Sequence, residues 1–83
     1  MSLRPLRGPR PARVVQDARG LPAQVEAGGR RRRVEAVRDD WLVQDLWWTG
    51  RPVHRHYFEL VLEPGRLTVV YRDAADGRWF VQG

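Results

Sequence analysis

The chain predicts an all-β fold, a small antiparallel meander of six or seven short strands that forms a rolled sheet or small barrel. Three observations carry this reading. Turn-forming residues recur at short intervals, at Gly28-Gly29, at Pro64-Gly65 and across Asp73–Gly77. Between them stand short runs rich in valine and aromatics, of the kind that half-buried strands use. No segment sustains a helical period over three turns. Eighty-three residues allow one domain, and a chain of this size buries only about 60–65% of its unfolded surface, so the core is thin.

The elements follow in order. Residues 1–11, "MSLRPLRGPRP", hold three prolines and three arginines. Proline at that density blocks helix and central strand, so 1–11 reads as a flexible basic arm and 12–83 as a single β domain. Residues 12–16 are a short strand candidate and 17–22 a loop. Residues 23–27 alternate and run into Gly28-Gly29, a hairpin signal, with 30–37 as the return strand. Asp39-Asp40 reads as a turn. Residues 41–48, "WLVQDLWW", are strand or one helical turn. Residues 54–63 form the clearest strand, Pro64-Gly65 a turn, 66–72 its partner, 73–77 a longer loop, and 78–82 the last strand.

Side chains alternate across a strand. His54, His56, Phe58, Leu60 and Leu62 therefore share one face of 54–63, with Tyr57, Glu59 and Val61 on the other. Leu67, Val69 and Tyr71 oppose Thr68, Val70 and Arg72, while Trp79 and Val81 oppose Phe80 and Gln82. Both faces carry apolar residues. One packs on the core, and the other is covered or exposed as a binding surface.

Charge and composition narrow the function classes. The formal net charge is +5, and every basic residue is arginine. Lysine, isoleucine and asparagine are all absent and share A/T-rich codons, so GC-rich coding explains the arginine bias, though not the net charge. That charge favours acidic partners, nucleic acid foremost. Residues 1–38 carry ten arginines against Asp17, Glu26 and Glu35, whereas all eight aromatics lie in 39–83. With no cysteine, disulfides and thiolate metal sites are excluded. The sequence shows no signal-type apolar run and no membrane-spanning run, which reads as a cytoplasmic protein without membrane contact.

Four of the eight aromatics and both histidines fall in 45–60, "DLWWTGRPVHRHYFEL". Of Trp47 and Trp48, one can enter the core while the other stays at the surface. A surface tryptophan beside Arg51 and Arg55 can stack a base or anchor a protein partner; alternatively both cap the sheet. His54 and His56 have a spacing that metals use. A zinc site needs three or four ligands, so a carboxylate would have to join them, and no metal or cofactor is expected. Ser2 is the only serine, no phosphate-cradling glycine loop is present, and the chain reads as a non-enzyme. Arg30, Arg31, Arg32 and Arg33 form the densest charge run, a basic ribbon able to hold phosphates or to blunt a sheet edge.

The stretch "DLWWTGRPVHRHYFELVLEPGRLTVVYRDAADGRWFVQG" resembles the C-terminal segment of ImuB-type proteins, catalytically inactive relatives of Y-family DNA polymerases in bacterial mutasomes. It also resembles the small stand-alone proteins that share this domain. The Trp-Trp pair, "RHYFELVLEPG", "YRD" and "GRWF" carry the resemblance, and the run-in from residue 11 is similar too. The chain lacks the polymerase-like parts of such proteins. The resemblance implies a protein-interaction accessory of DNA repair or translesion mutagenesis machinery, with a protein partner in that complex. The expected contact surface is Trp47, Trp48, Arg51, His54, Arg55 and His56. The alternative is direct binding of single-stranded or duplex nucleic acid through Arg30–Arg33 and an exposed tryptophan.

Overall fold

The computed structural model describes residues 8–45, 50 and 53–82, the side chain of Asp45 excepted. Six strands form a closed antiparallel meander barrel in chain order. They are β1 (Arg10–Gln16), β2 (Pro22–Ala27), β3 (Arg30–Asp45), β4 (Val53–Leu62), β5 (Arg66–Asp73) and β6 (Trp79–Gln82). The all-β reading and the meander order agree with the sequence expectation.

Closure depends on two strands that change partners along their length. In β1, Arg10–Ala12 pair with β6 and Arg13–Gln16 with β2. In β3, Arg30–Arg33 pair with β2, while Val34–Asp45 pair with β4. Bulges at Val34/Ala36 and Val37/Asp39 mark the bend in β3, where an extra residue sharpens strand twist.

Local chemistry explains the turns. Gly28 and Gly29 both take positive φ, 59° and 76°, as the tight β2–β3 connection requires. In the β1–β2 loop, Asp17 Oδ1 accepts the backbone N–H groups of Arg19 and Leu21 at 2.8 and 3.0 Å. Asp73 Oδ1 and Asp76 Oδ1 do the same for Ala75 and Arg78, each at 2.9 Å. These carboxylates build loops, which aspartate does through its own backbone neighbourhood.

Two expectations need correction. Asp39-Asp40 is not a turn: β3 runs through it, so the two expected strands at 30–37 and 41–48 are one over Arg30–Asp45. The chain tolerates aspartate there because both side chains stay exposed and Asp40 gains a partner in His56. Arg10 and Pro11, expected in the flexible arm, belong to β1. Pro11 fits because this part of β1 pairs with β6 alone among the described residues, and proline is tolerated on such one-sided strand segments.

The core is small and comes mainly from alternate positions of β4, β5 and β6. Phe58, Leu60, Leu62, Val70, Trp79 and Val81 are buried, with Val25 joining from β2. Leu60 and Val70 are 0% exposed. Phe58, Leu60 and Leu62 are three members of the face that alternation groups on 54–63.

Candidate docking surface

Strand pairing places one residue of each neighbouring strand side by side on the outward face. Trp41 pairs with Tyr57, Tyr57 with Tyr71, Tyr71 with Phe80, and Phe80 with Pro11. The result is an aromatic row across β3, β4, β5 and β6 that ends on a proline of β1. Ring centroids lie 5.6 Å apart for Trp41–Tyr57, 5.0 Å for Tyr57–Tyr71 and 5.2 Å for Tyr71–Phe80. These separations are close to the strand spacing of about 4.7–4.9 Å. Each ring therefore lies against its neighbour across the ladder, and Trp41 and Tyr57 are parallel to within 2°. Cross-strand aromatic pairs of this kind stabilise a sheet face.

Two arginines bracket the row. The Arg55 guanidinium lies 4.6 Å from the Tyr71 ring centroid, and its Nη1 donates to Tyr57 Oη at 3.3 Å. Arg78 stands over Phe80 at 5.7 Å. Such cation–π contacts cover an aromatic surface while keeping a charge at its edge. The hydrogen bond to Tyr57 holds Arg55 still more firmly protonated than usual. Burial pushes the Tyr71 phenol above its ordinary range, against the opposing pull of Arg55. Arg55 Nε is buried without a hydrogen-bond partner among the described residues.

Exposure falls from Trp41 to Tyr71 and rises again at Phe80. Tyr71 is 3% exposed and Trp41 39%, with Tyr57 and Phe80 between. Trp41 is also where the row reaches an edge, since beyond Arg33 β3 pairs only with β4 among the described residues. Arg38, Asp39 and Asp40 line that edge, and charge there guards against indiscriminate strand pairing.

The structure divides the expected contact residues. Trp47, Trp48 and Arg51 lie outside the described residues. His54 and His56 face away from Arg55, because successive side chains of β4 alternate. His56 stacks on Phe58 at 4.1 Å and its Nε2 lies 2.7 Å from Asp40 Oδ2; His54 is exposed opposite Gln44. Among the described residues no group of three histidine or carboxylate side chains is placed to hold a metal. The Arg30–Arg33 run is also split. Arg31 and Arg33 pair with Glu26 and Gln24, while Arg32 pairs with the buried Val25 and Arg30 follows it on the same face.

The aromatic row was missed as a unit. Alternation groups Tyr57, Tyr71 and Phe80 each on one face of its own strand but assigns Trp41 none, and joining the four requires the register between strands. Among the described residues no helix is long and apolar enough to cross a membrane. No family model, no curated protein and no solved structure matches the chain.

Proposed function

We propose that this chain is a non-catalytic module that docks on a partner protein through the outward aromatic row, with Trp41, Tyr57 and Phe80 as its accessible members and Tyr71 buried between them. The stacking of the row's rings on one another carries the reading. A base-stacking platform needs free ring faces, but Tyr57 and Tyr71 have theirs against neighbouring rings and Arg55. Protein interfaces are instead anchored by partly covered aromatics beside arginine. The resemblance to the ImuB-type C-terminal segment supports placing that partner in a bacterial repair or translesion assembly. A protein partner fits the module better than an enzymatic role, because the chain offers no nucleophile motif.

Affinity capture on the full chain tests this. The wild type is compared with Trp41→Ala and with Val15→Ala, which trims a still more exposed apolar residue outside the row. A partner should be retained by wild type and Val15→Ala, survive a rise in salt, and be lost with Trp41→Ala. Truncating an aromatic anchor costs about 2 kcal/mol or more, roughly 30-fold in Kd. Equal retention by all three proteins, with far-UV circular dichroism unchanged, overturns the proposal.

A further inference from the structure

Four arginines from three strands gather at one mouth of the barrel. Arg10 pairs with Val81, Arg32 with Val25 and Arg66 with Leu62. Their partners are core residues, 7%, 3% and 5% exposed, so all three arginines continue the core-facing side of their strands past the end of the core. Arg30, two residues from Arg32, lies on the same side. Together they line a cleft of about 740 Å³ that has no acidic residue in its wall. The neighbouring cleft, of about 550 Å³, includes Glu26. Among the described residues none of the four arginines forms an ion pair with a carboxylate, though Arg32 Nη1 donates to Glu63 O at 3.1 Å.

The arginine stems cap the apolar end of the core, as amphipathic side chains do. That accounts for the stems but not for four converging charges without a counter-charge. Guanidiniums repel one another until an anion joins them, and phosphate is the anion their planar donor fork suits best. The apolar wall, with Leu67 56% exposed at its rim and Thr68 and Gln82 supplying neutral polar groups, adds room for a sugar or base. The volume lies within the ordinary range of small-ligand pockets, about 300–1,000 Å³. A nucleotide or two fits such a space and a duplex does not.

We propose that this arginine-lined mouth is a phosphate site that takes the backbone of single-stranded nucleic acid. It goes beyond the docking surface, which lies on the outward face of the sheet, and neither depends on the other. It also refines the expected role of the Arg30–Arg33 ribbon. Arg30 and Arg32 take part with Arg10 and Arg66, whereas Arg31 and Arg33 do not.

The test is fluorescence anisotropy of a short labelled oligothymidine against the full chain, titrated between about 50 and 200 mM salt. Three to four phosphates held should lower affinity about 20- to 50-fold over that range, given a single-strand slope of about −0.7 per phosphate. Arg10→Gln/Arg66→Gln should flatten the slope by about 1.4, whereas Arg31→Gln/Arg33→Gln should leave it unchanged. The two double variants remove the same charge, from opposite sides of the barrel wall, and glutamine keeps part of each side-chain stem in place. Equal losses from both would mean diffuse attraction and overturn the site, as would no binding at low salt. A nucleoside triphosphate that binds more tightly than the strand would assign the same phosphate chemistry to a free nucleotide and overturn the strand reading. Displacement by polyglutamate at matched charge would overturn phosphate recognition altogether.

Discussion

Replacing Tyr71 by alanine should be the most damaging single change to the outward face. Tyr71 is 3% exposed and touches two rings and one guanidinium, with centroid distances of 5.0, 5.2 and 4.6 Å. Each aromatic pair contributes about 0.5–1.5 kcal/mol beyond burial, and a partly desolvated cation–π contact about 0.5–2 kcal/mol. Those terms alone reach about 1.5–5 kcal/mol, in line with the roughly 3–5 kcal/mol typical of truncating a buried aromatic. A domain of this size has only about 4–12 kcal/mol to lose. Urea unfolding followed by tryptophan fluorescence should show a cost of about 3 kcal/mol or more, and heating a fall in Tm above about 12 °C. Tyr71→Phe keeps the ring and should cost about 1 kcal/mol or less, the scale of one modest polar interaction. A Tyr71→Ala cost below about 1 kcal/mol, or equal costs for alanine and phenylalanine, would refute the idea that ring packing holds this face together.

Other outcomes follow from the same geometry. Leu60→Ala empties a site that is 0% exposed and should cost about 2–5 kcal/mol, whereas Leu67→Ala, at 56% exposure, should change denaturant stability by less than about 0.5 kcal/mol. The Tyr71 phenol is raised in the folded chain, chiefly by burial, so the unfolded chain releases that proton first. Its stabilising contribution is complete below the unfolded value of about 10 and is lost as pH rises through the higher folded value. Unfolding titrations should show that alkaline decline in wild type and lose it in Tyr71→Phe. Gly77 has φ of 72° and a Cβ there would stand 3.3 Å from Arg72 Nη2. Gly77→Ala should therefore cost about 1–3 kcal/mol, and Gly8→Ala, with open space around it, should be neutral within about 0.5 kcal/mol by thermal melting.

Hairpins and core faces were legible in the sequence because their signals are local. Gly28-Gly29 specifies a tight turn by itself, and the alternation in 54–63 separates Phe58, Leu60 and Leu62 from Tyr57 and Glu59. What was not legible depended on distant strands. Trp41 and Phe80 are far apart in sequence and join one row only through β4 and β5. The bulges that carry β3 through Asp39-Asp40 follow from its change of partner, which no local pattern announces. Arg55 was grouped with His54 and His56 by sequence proximity, and the pleat puts it on the opposite face. The Arg30–Arg33 run looked like a ribbon until pairing with β2 sent alternate residues to opposite sides. Of its real neighbours, Arg10 reads in the sequence as part of the basic arm and Arg66 only as the start of a strand.

The docking proposal is tested most directly by photocrosslinking in cells of the source organism. A photoreactive phenylalanine analogue is placed at position 41 in one chain and at position 15 in another. Both positions are exposed on strands, at 39% and 58%, but only the first belongs to the aromatic row. A discrete protein adduct from position 41, absent from position 15 and suppressed by excess untagged wild-type chain, is the expected result. No adduct at position 41, or the same adducts from both positions, would contradict the assignment of the row as a docking surface.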